Sequence, residues 1–115
     1  MIYVFLADGF EETEAIAPID ILKRFGKEVV TVGIGGGKIT GAHGITVIAD
    51  ITDSDVIMTD KVEMIVLPGG MPGTLNLEKS PVVQAAIKFC ADNKKAIGAI
   101  CAAPVSYTHL RAHET

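Results

Sequence analysis

The sequence predicts an α/β fold built on a mostly parallel sheet. Residues 2–6, 64–67 and 96–100 are short, unbroken apolar runs. A strand with one wet face would alternate apolar and polar residues, so these read as strands covered on both sides. Between them lie stretches whose apolar residues recur at helical spacing. Strands alternating with helices imply right-handed crossovers and hence parallel pairing. A chain of 115 residues, 49% of them hydrophobic, suffices for a single core.

Each element has a local reason. Residues 2–6 form the first strand, stopped by Ala7-Asp8-Gly9. Residues 11–25 read as a helix with Ala15, Ile16, Ile19, Leu22 and Phe25 on one broad face. Glu11, Glu12 and Glu14 put negative charge at its positive dipole end, and Gly26 suits its stop. Residues 28–32 are a second strand, closed by the glycines of 33–37. Residues 39–41 and 45–49 suggest a small antiparallel excursion. The weakly patterned stretch 50–61 is expected to be loop with a short helical turn. Residues 64–67 are a third core strand, cut off by Pro68-Gly69-Gly70. Ser80-Pro81 pairs an N-cap with a first-position proline. From there Val82, Val83, Ala86, Ile87 and Cys90 keep helical spacing up to Asn93. Residues 96–100 are the fourth core strand.

Charge and composition exclude several classes of partner. The formal net charge is −4 and no Lys/Arg run occurs, which argues against nucleic acid. No apolar stretch approaches the roughly 18–20 residues that span a bilayer. The apolar start is too short for a signal peptide and lacks a basic front end. Two cysteines make no disulfide framework, so a reducing, cytoplasmic compartment is expected.

Cys101 is the most informative residue. It ends the run 96–100 and precedes Ala102-Ala103-Pro104, the pattern of a sharp strand-to-helix turn. There, neighbouring N–H groups and a helix dipole favour thiolate over thiol. Cys90, spaced helically with Ala86 and Ile87, reads as core filler instead. Loops leaving the first, third and fourth core strands all open at the carboxyl edge of the sheet, where such folds bind ligands. They carry Glu14, Gly69-Gly70 and Cys101. Glu14 is the acid–base candidate. Pro18, four residues on, cannot donate to the Glu14 carbonyl, so the helix is expected to distort or restart there. A carboxyl and a thiolate facing one another should share a proton. Backbone N–H groups of Gly69, Gly70 and Ala102 are candidate oxyanion donors.

Other candidates are weaker. Glu11 and Glu12 read as solvated charges, and His43 as a solvated turn residue. The stretch from Gly33 to Lys38 misses the phosphate-loop pattern in glycine spacing, and Ile39 stands where Ser or Thr is required. His109 and His113 are spaced as helical zinc ligands can be, but no third ligand accompanies them. No metal and no cofactor is expected.

Several segments together resemble the ThiJ/PfpI family, the DJ-one type. They are residues 7–15 (Ala7-Asp8-Gly9-Phe10-Glu11-Glu12-Thr13-Glu14-Ala15), Pro18-Ile19-Asp20, Val66-Leu67-Pro68-Gly69-Gly70 and Ala99-Ile100-Cys101-Ala102-Ala103-Pro104. The resemblance covers residues 1–104 in order and spacing. It implies a flavodoxin-like three-layer α/β/α sandwich, related to class I glutamine amidotransferase domains and usually dimeric. It implies Cys101 as reactive nucleophile and Glu14 as its hydrogen-bonded carboxyl partner. Implied activities include glyoxalase or deglycase chemistry on small reactive carbonyls and glycated side chains, protease-like hydrolysis, redox sensing and chaperoning; a thiamine-biosynthesis label also accompanies the family. An alternative to the enzyme is therefore a redox sensor whose cysteine is oxidised to sulfinic acid.

The sequence departs from the family in one respect. The family's histidine near the cysteine comes from a later segment. Residues 105–115 instead resemble the in-frame translation of a transposase adapter used in sequencing libraries. Residues 1–104 are thus read as the N-terminal part of a family domain, and 105–115 as a non-native tail. His109 and His113 are given no catalytic role. On this reading the domain is incomplete at its C-terminus and the chain as it stands is inactive, a truncated product of an active parent.

Overall fold

In the computed structural model, which describes residues 1–100, a five-stranded sheet organises the chain. The order along the sequence is β1 (Ile2–Leu6), α1 (Glu12–Arg24), β2 (Val29–Gly33), β3 (Lys38–Thr40), β4 (Thr46–Ile48) and β5 (Ile51–Thr52). A 3₁₀ turn (Asp53–Asp55), β6 (Met64–Leu67), α2 (Gly73–Lys79), α3 (Pro81–Asp92) and β7 (Ala96–Ala99) follow. The sheet runs β5-β2-β1-β6-β7 with every pair parallel, while β3 and β4 make a separate antiparallel hairpin. The expected α/β class and parallel sheet flanked by helices are what the structure has.

The unbroken apolar runs have a simple cause. Side chains alternate across a strand, and β1 is covered on both faces. Tyr3 and Phe5 join a cluster with Ile65, Leu67, Leu77, Val83, Ala86, Ile87 and Cys90, the side of α2 and α3. Ile2, Val4 and Leu6 join Phe10, Ala15, Ile39 and Val66, with Ile19 and Leu22 of α1 packed against them. Cys90 is fully buried, as its spacing implied. No helix among the described residues is long and apolar enough to cross a membrane.

Four local expectations need correcting. First, α1 runs unbroken through Pro18. One missing donor frees one carbonyl, but the turns on either side and the packing of Ala15, Ile19 and Leu22 against the sheet cluster hold the helix together. Second, the apolar face is narrower than read: Ile16 is 43% and Phe25 80% exposed. Third, residues 51–52 are not loop; they pair with β2 at the sheet edge. Fourth, the second strand begins one residue later than read. Residues 73–79, assigned to no element from the sequence, form α2. The helix start at Ser80 is as expected: its Oγ accepts from the N–H of Val83 at 3.3 Å.

Candidate functional site

Strand order places the site. From β1 the chain moves outward to β2 on one side, then returns to lay β6 and β7 on the other. The order reverses between β1 and β6, and folds of this kind bind ligands outside the carboxyl ends of the strands at such a point. The loops that reach it are residues 7–11 after β1 and 68–72 after β6.

These loops are stitched together by backbone. The N–H of Glu11 donates to the carbonyl of Gly69 at 2.9 Å, and the N–H of Gly73 to that of Gly9 at 3.1 Å. Gly70, at φ +99°, lies so near the start of α1 that a Cβ on it would stand 2.5 Å from the N of Glu11. Only glycine fits there. The Gly69-Gly70 turn is thus fixed three residues ahead of Glu14. Glu14 is partly buried in the first turn of α1, a regular turn rather than the irregular one expected from Pro18. At the far side, the N–H of Ile100 donates to the carbonyl of Leu67 at 3.2 Å. The chain therefore leaves β7 level with the start of the Pro68-Gly69-Gly70 turn. Cys101 and Ala102 lie outside the described residues, as do His109 and His113 in residues 105–115. Of the expected site, the structure places Glu14, Gly69 and Gly70 along one edge.

A third strip of chain closes over this edge. The N–H of Gly9 donates to the carbonyl of Thr40 at 2.8 Å, and the N–H of Ala42 to that of Phe10 at 2.7 Å. The N–H of Thr40 in turn donates to Asp8 Oδ1 at 2.9 Å. The β3–β4 turn so held sits on Glu12. This corrects the reading of Glu12 as a solvated charge: it is 6% exposed. Its Oε2 accepts from the N–H of His43 at 2.9 Å and of Ile45 at 3.2 Å, while its Oε1 lies 3.0 Å from Nδ1 of His43. Burial alone would raise this carboxyl. The bonds from the His43 ring and from nearby N–H groups outweigh it and hold the group at about 2. The bond to Glu12, then the charges of Glu11 and Glu12, raise His43 above its ordinary value. His43 is mostly exposed, as a turn residue should be, yet its ring is engaged.

Sequence reasoning missed the Glu12–His43 pair. One signal could have found half of it. Glu12 precedes Ala15, Ile19 and Leu22 at steps of three, four and three, so it continues the packed stripe. Glu11, Glu12 and His43 also offer ligand-type atoms within 4.8 Å of one another, and they are the described residues that could hold a metal ion. Both Glu12 oxygens already accept hydrogen bonds within the fold, so the grouping has a structural explanation without one.

The sequence profile of the DJ-1/PfpI family matches residues 1–113. The chain belongs to the DJ-1/PfpI family. Among curated relatives, the zebrafish Parkinson disease protein 7 homolog is 34% identical over 96% of this chain and 57% of its own length. A deglycase from Thermococcus kodakarensis is 36% identical over 90% of this chain and 61% of its own. Among solved structures, oxidised DJ-1 of Toxoplasma gondii superposes with a TM-score of 0.89 at 33% identity, covering 96% of this chain and 60% of that one. DJ-1beta of Drosophila melanogaster gives 0.87 at 32% identity, covering 93% and 57%. The family expected from the motifs, and its flavodoxin-like fold, are thereby shown. The chain spans somewhat over half the length of these DJ-1/PfpI relatives.

Proposed function

We propose that this chain carries the nucleophilic half of a site that captures reactive carbonyl compounds, as a deglycase- or glyoxalase-type member of the DJ-1/PfpI family. In this reading the Cys101 sulfur attacks an aldehyde carbon. A C–S bond forms, the carbonyl π pair moves to oxygen, and a proton from Glu14 completes a hemithioacetal. N–H groups of Gly69, Gly70 and Ala102 stabilise the oxygen while it carries charge. The substrate class is small dicarbonyls or the adducts they leave on protein side chains. A homodimer in the cytoplasm is part of the same proposal.

The observation that carries the reading is the pinning of Gly69-Gly70 against the start of α1 at the reversal of strand order, with the Ile100 N–H bonded to the Leu67 carbonyl at the same edge. The deglycase names of relatives near 35% identity favour carbonyl chemistry. The oxidised state named for the Toxoplasma neighbour favours a second reading, in which Cys101 is a redox sensor taken to sulfinic acid beside Glu14.

One labelling experiment separates these readings. Methylglyoxal should slow alkylation of Cys101 by iodoacetamide, followed by peptide mass spectrometry, without altering the behaviour of Cys90. An alkylation rate indifferent to methylglyoxal, together with sulfinic acid formed at Cys101 by mild peroxide, would favour the sensor instead.

A further inference from the structure

We infer that Glu12 is a positioning residue: by gripping the β3–β4 turn it fixes the first turn of α1, and through that turn the placement of Glu14. The inference rests on the proposed role of Glu14 and extends it to residues that do not touch substrate.

The grip is built from groups remote in sequence. His43 and Ile45 come from a turn 31 and 33 residues away from Glu12. Two backbone N–H groups and one ring nitrogen converge on a single carboxylate that is nearly sealed from water. A carboxylate removed from water is tolerable only while such donors are present. The turn also sits so close that a Cβ on Gly41 would overlap the Glu12 carboxyl. The two surfaces therefore fit in one register. Glu11, one residue earlier, caps α1 by accepting from the N–H of Thr13 at 3.1 Å and donates its own N–H to Gly69. The start of α1 is thus held from two sides, by the Gly69 carbonyl and by the hairpin turn. Glu14 follows within the same helical turn, with little freedom left.

His43 makes the grip respond to pH. The charged groups facing its ring are Glu12, the first residue of α1, at 3.0 Å and Glu11, its N-cap, at 3.5 Å. Its raised titration point means the protonated ring is favoured in the folded chain. The ionic part of the grip is therefore full below the ordinary histidine value and is lost as pH rises through the raised one.

Two readouts on the full chain test this. In Glu12→Gln, amide hydrogen exchange should speed up at residues 12–16 and 41–45 by at least about tenfold, while α3 stays protected. The pH midpoint for alkylation of Cys101 should move in the direction it moves in Glu14→Gln, though less far. His43→Ala should repeat both effects more weakly, and His43→Arg, which keeps a cation and donor opposite Glu12, should restore them. A purely structural role would lower the melting temperature and leave the alkylation midpoint where it was. If Glu12→Gln does not fold, the His43 pair decides the matter, since that side chain is exposed. Unchanged exchange at residues 12–16 in His43→Ala and Glu12→Gln would overturn the inference, as would a fixed midpoint in both while Glu14→Gln shifts it. Failure of the Glu14–Cys101 reading looks different: the midpoint would stay fixed in Glu14→Gln itself, with exchange still raised by Glu12→Gln.

Discussion

Gly9→Ala is expected to destabilise the protein by about 3–5 kcal/mol. Two costs combine. Gly9 sits at φ +87°, a left-handed conformation that L-residues enter at about 1–2 kcal/mol. A Cβ there would also overlap Cδ of Pro72 and stand 2.7 Å from the backbone N of both Pro72 and Gly73. Backbone cannot swing aside as a side chain can, so the segment 70–73 would have to move. That movement would strain the bond from Gly73 N–H to the Gly9 carbonyl. Two other glycines separate the costs. Gly35 is at φ +85° with nothing within 4 Å, so Gly35→Ala should lose only about 1 kcal/mol. Gly36 has neither a left-handed φ nor a neighbour in that range, so Gly36→Ala should be neutral or gain up to about 1 kcal/mol. Denaturant midpoints at unchanged slope would read the series. A Gly9→Ala loss no larger than that of Gly35→Ala would mean the 7–11 and 68–73 loops are not packed as described.

Glu14→Gln is expected to slow capture of methylglyoxal at Cys101 by about 10²–10⁴-fold. Glutamine keeps the shape of the side chain and can still donate a hydrogen bond. It has no proton to exchange with the sulfur or with the developing alkoxide. Because the residue is partly buried in a regular helical turn, the isosteric change should leave the denaturation midpoint almost where it was. Protection of Cys101 by methylglyoxal, followed over time in the wild type and the variant, measures the effect. Equal rates in the two would remove Glu14 from the chemistry and leave it a first-turn acid that favours the helix dipole.

Much of this architecture was legible because it is written locally. The apolar runs of β1, β6 and β7 need no partner in sequence to be read as doubly covered strands. Ser80-Pro81 announces α3, and the register of the carboxyl edge follows once the strands are parallel. From that alone Glu14 and Gly69-Gly70 belong at one edge. What escaped depends on distance or brevity. β5 has two residues, too few for any period. α2 has seven and opens on Pro72-Gly73, which reads as a turn. Pro18 promised a break, but one lost hydrogen bond does not outweigh a helix packed along Ala15, Ile19 and Leu22. Phe25 looked like core and is exposed: it is the C-cap, one residue past the end of α1. Glu12 is the instructive miss. Its spacing marks the packed stripe, yet nothing near it supplies the donors a buried carboxylate needs. They come from a hairpin turn that folding, not sequence, brings alongside.

The proposed chemistry depends on an activated sulfur at position 101, two residues past Ala99, the last residue of β7. Alkylation of the folded chain as a function of pH, resolved cysteine by cysteine, is the most direct measurement. Cys101 should react at a pH well below the value of about 8.5 usual for a thiol, while buried Cys90 resists until the protein unfolds. Reaction of Cys101 only near or above that ordinary value, or protection of it equal to that of Cys90, would contradict the account.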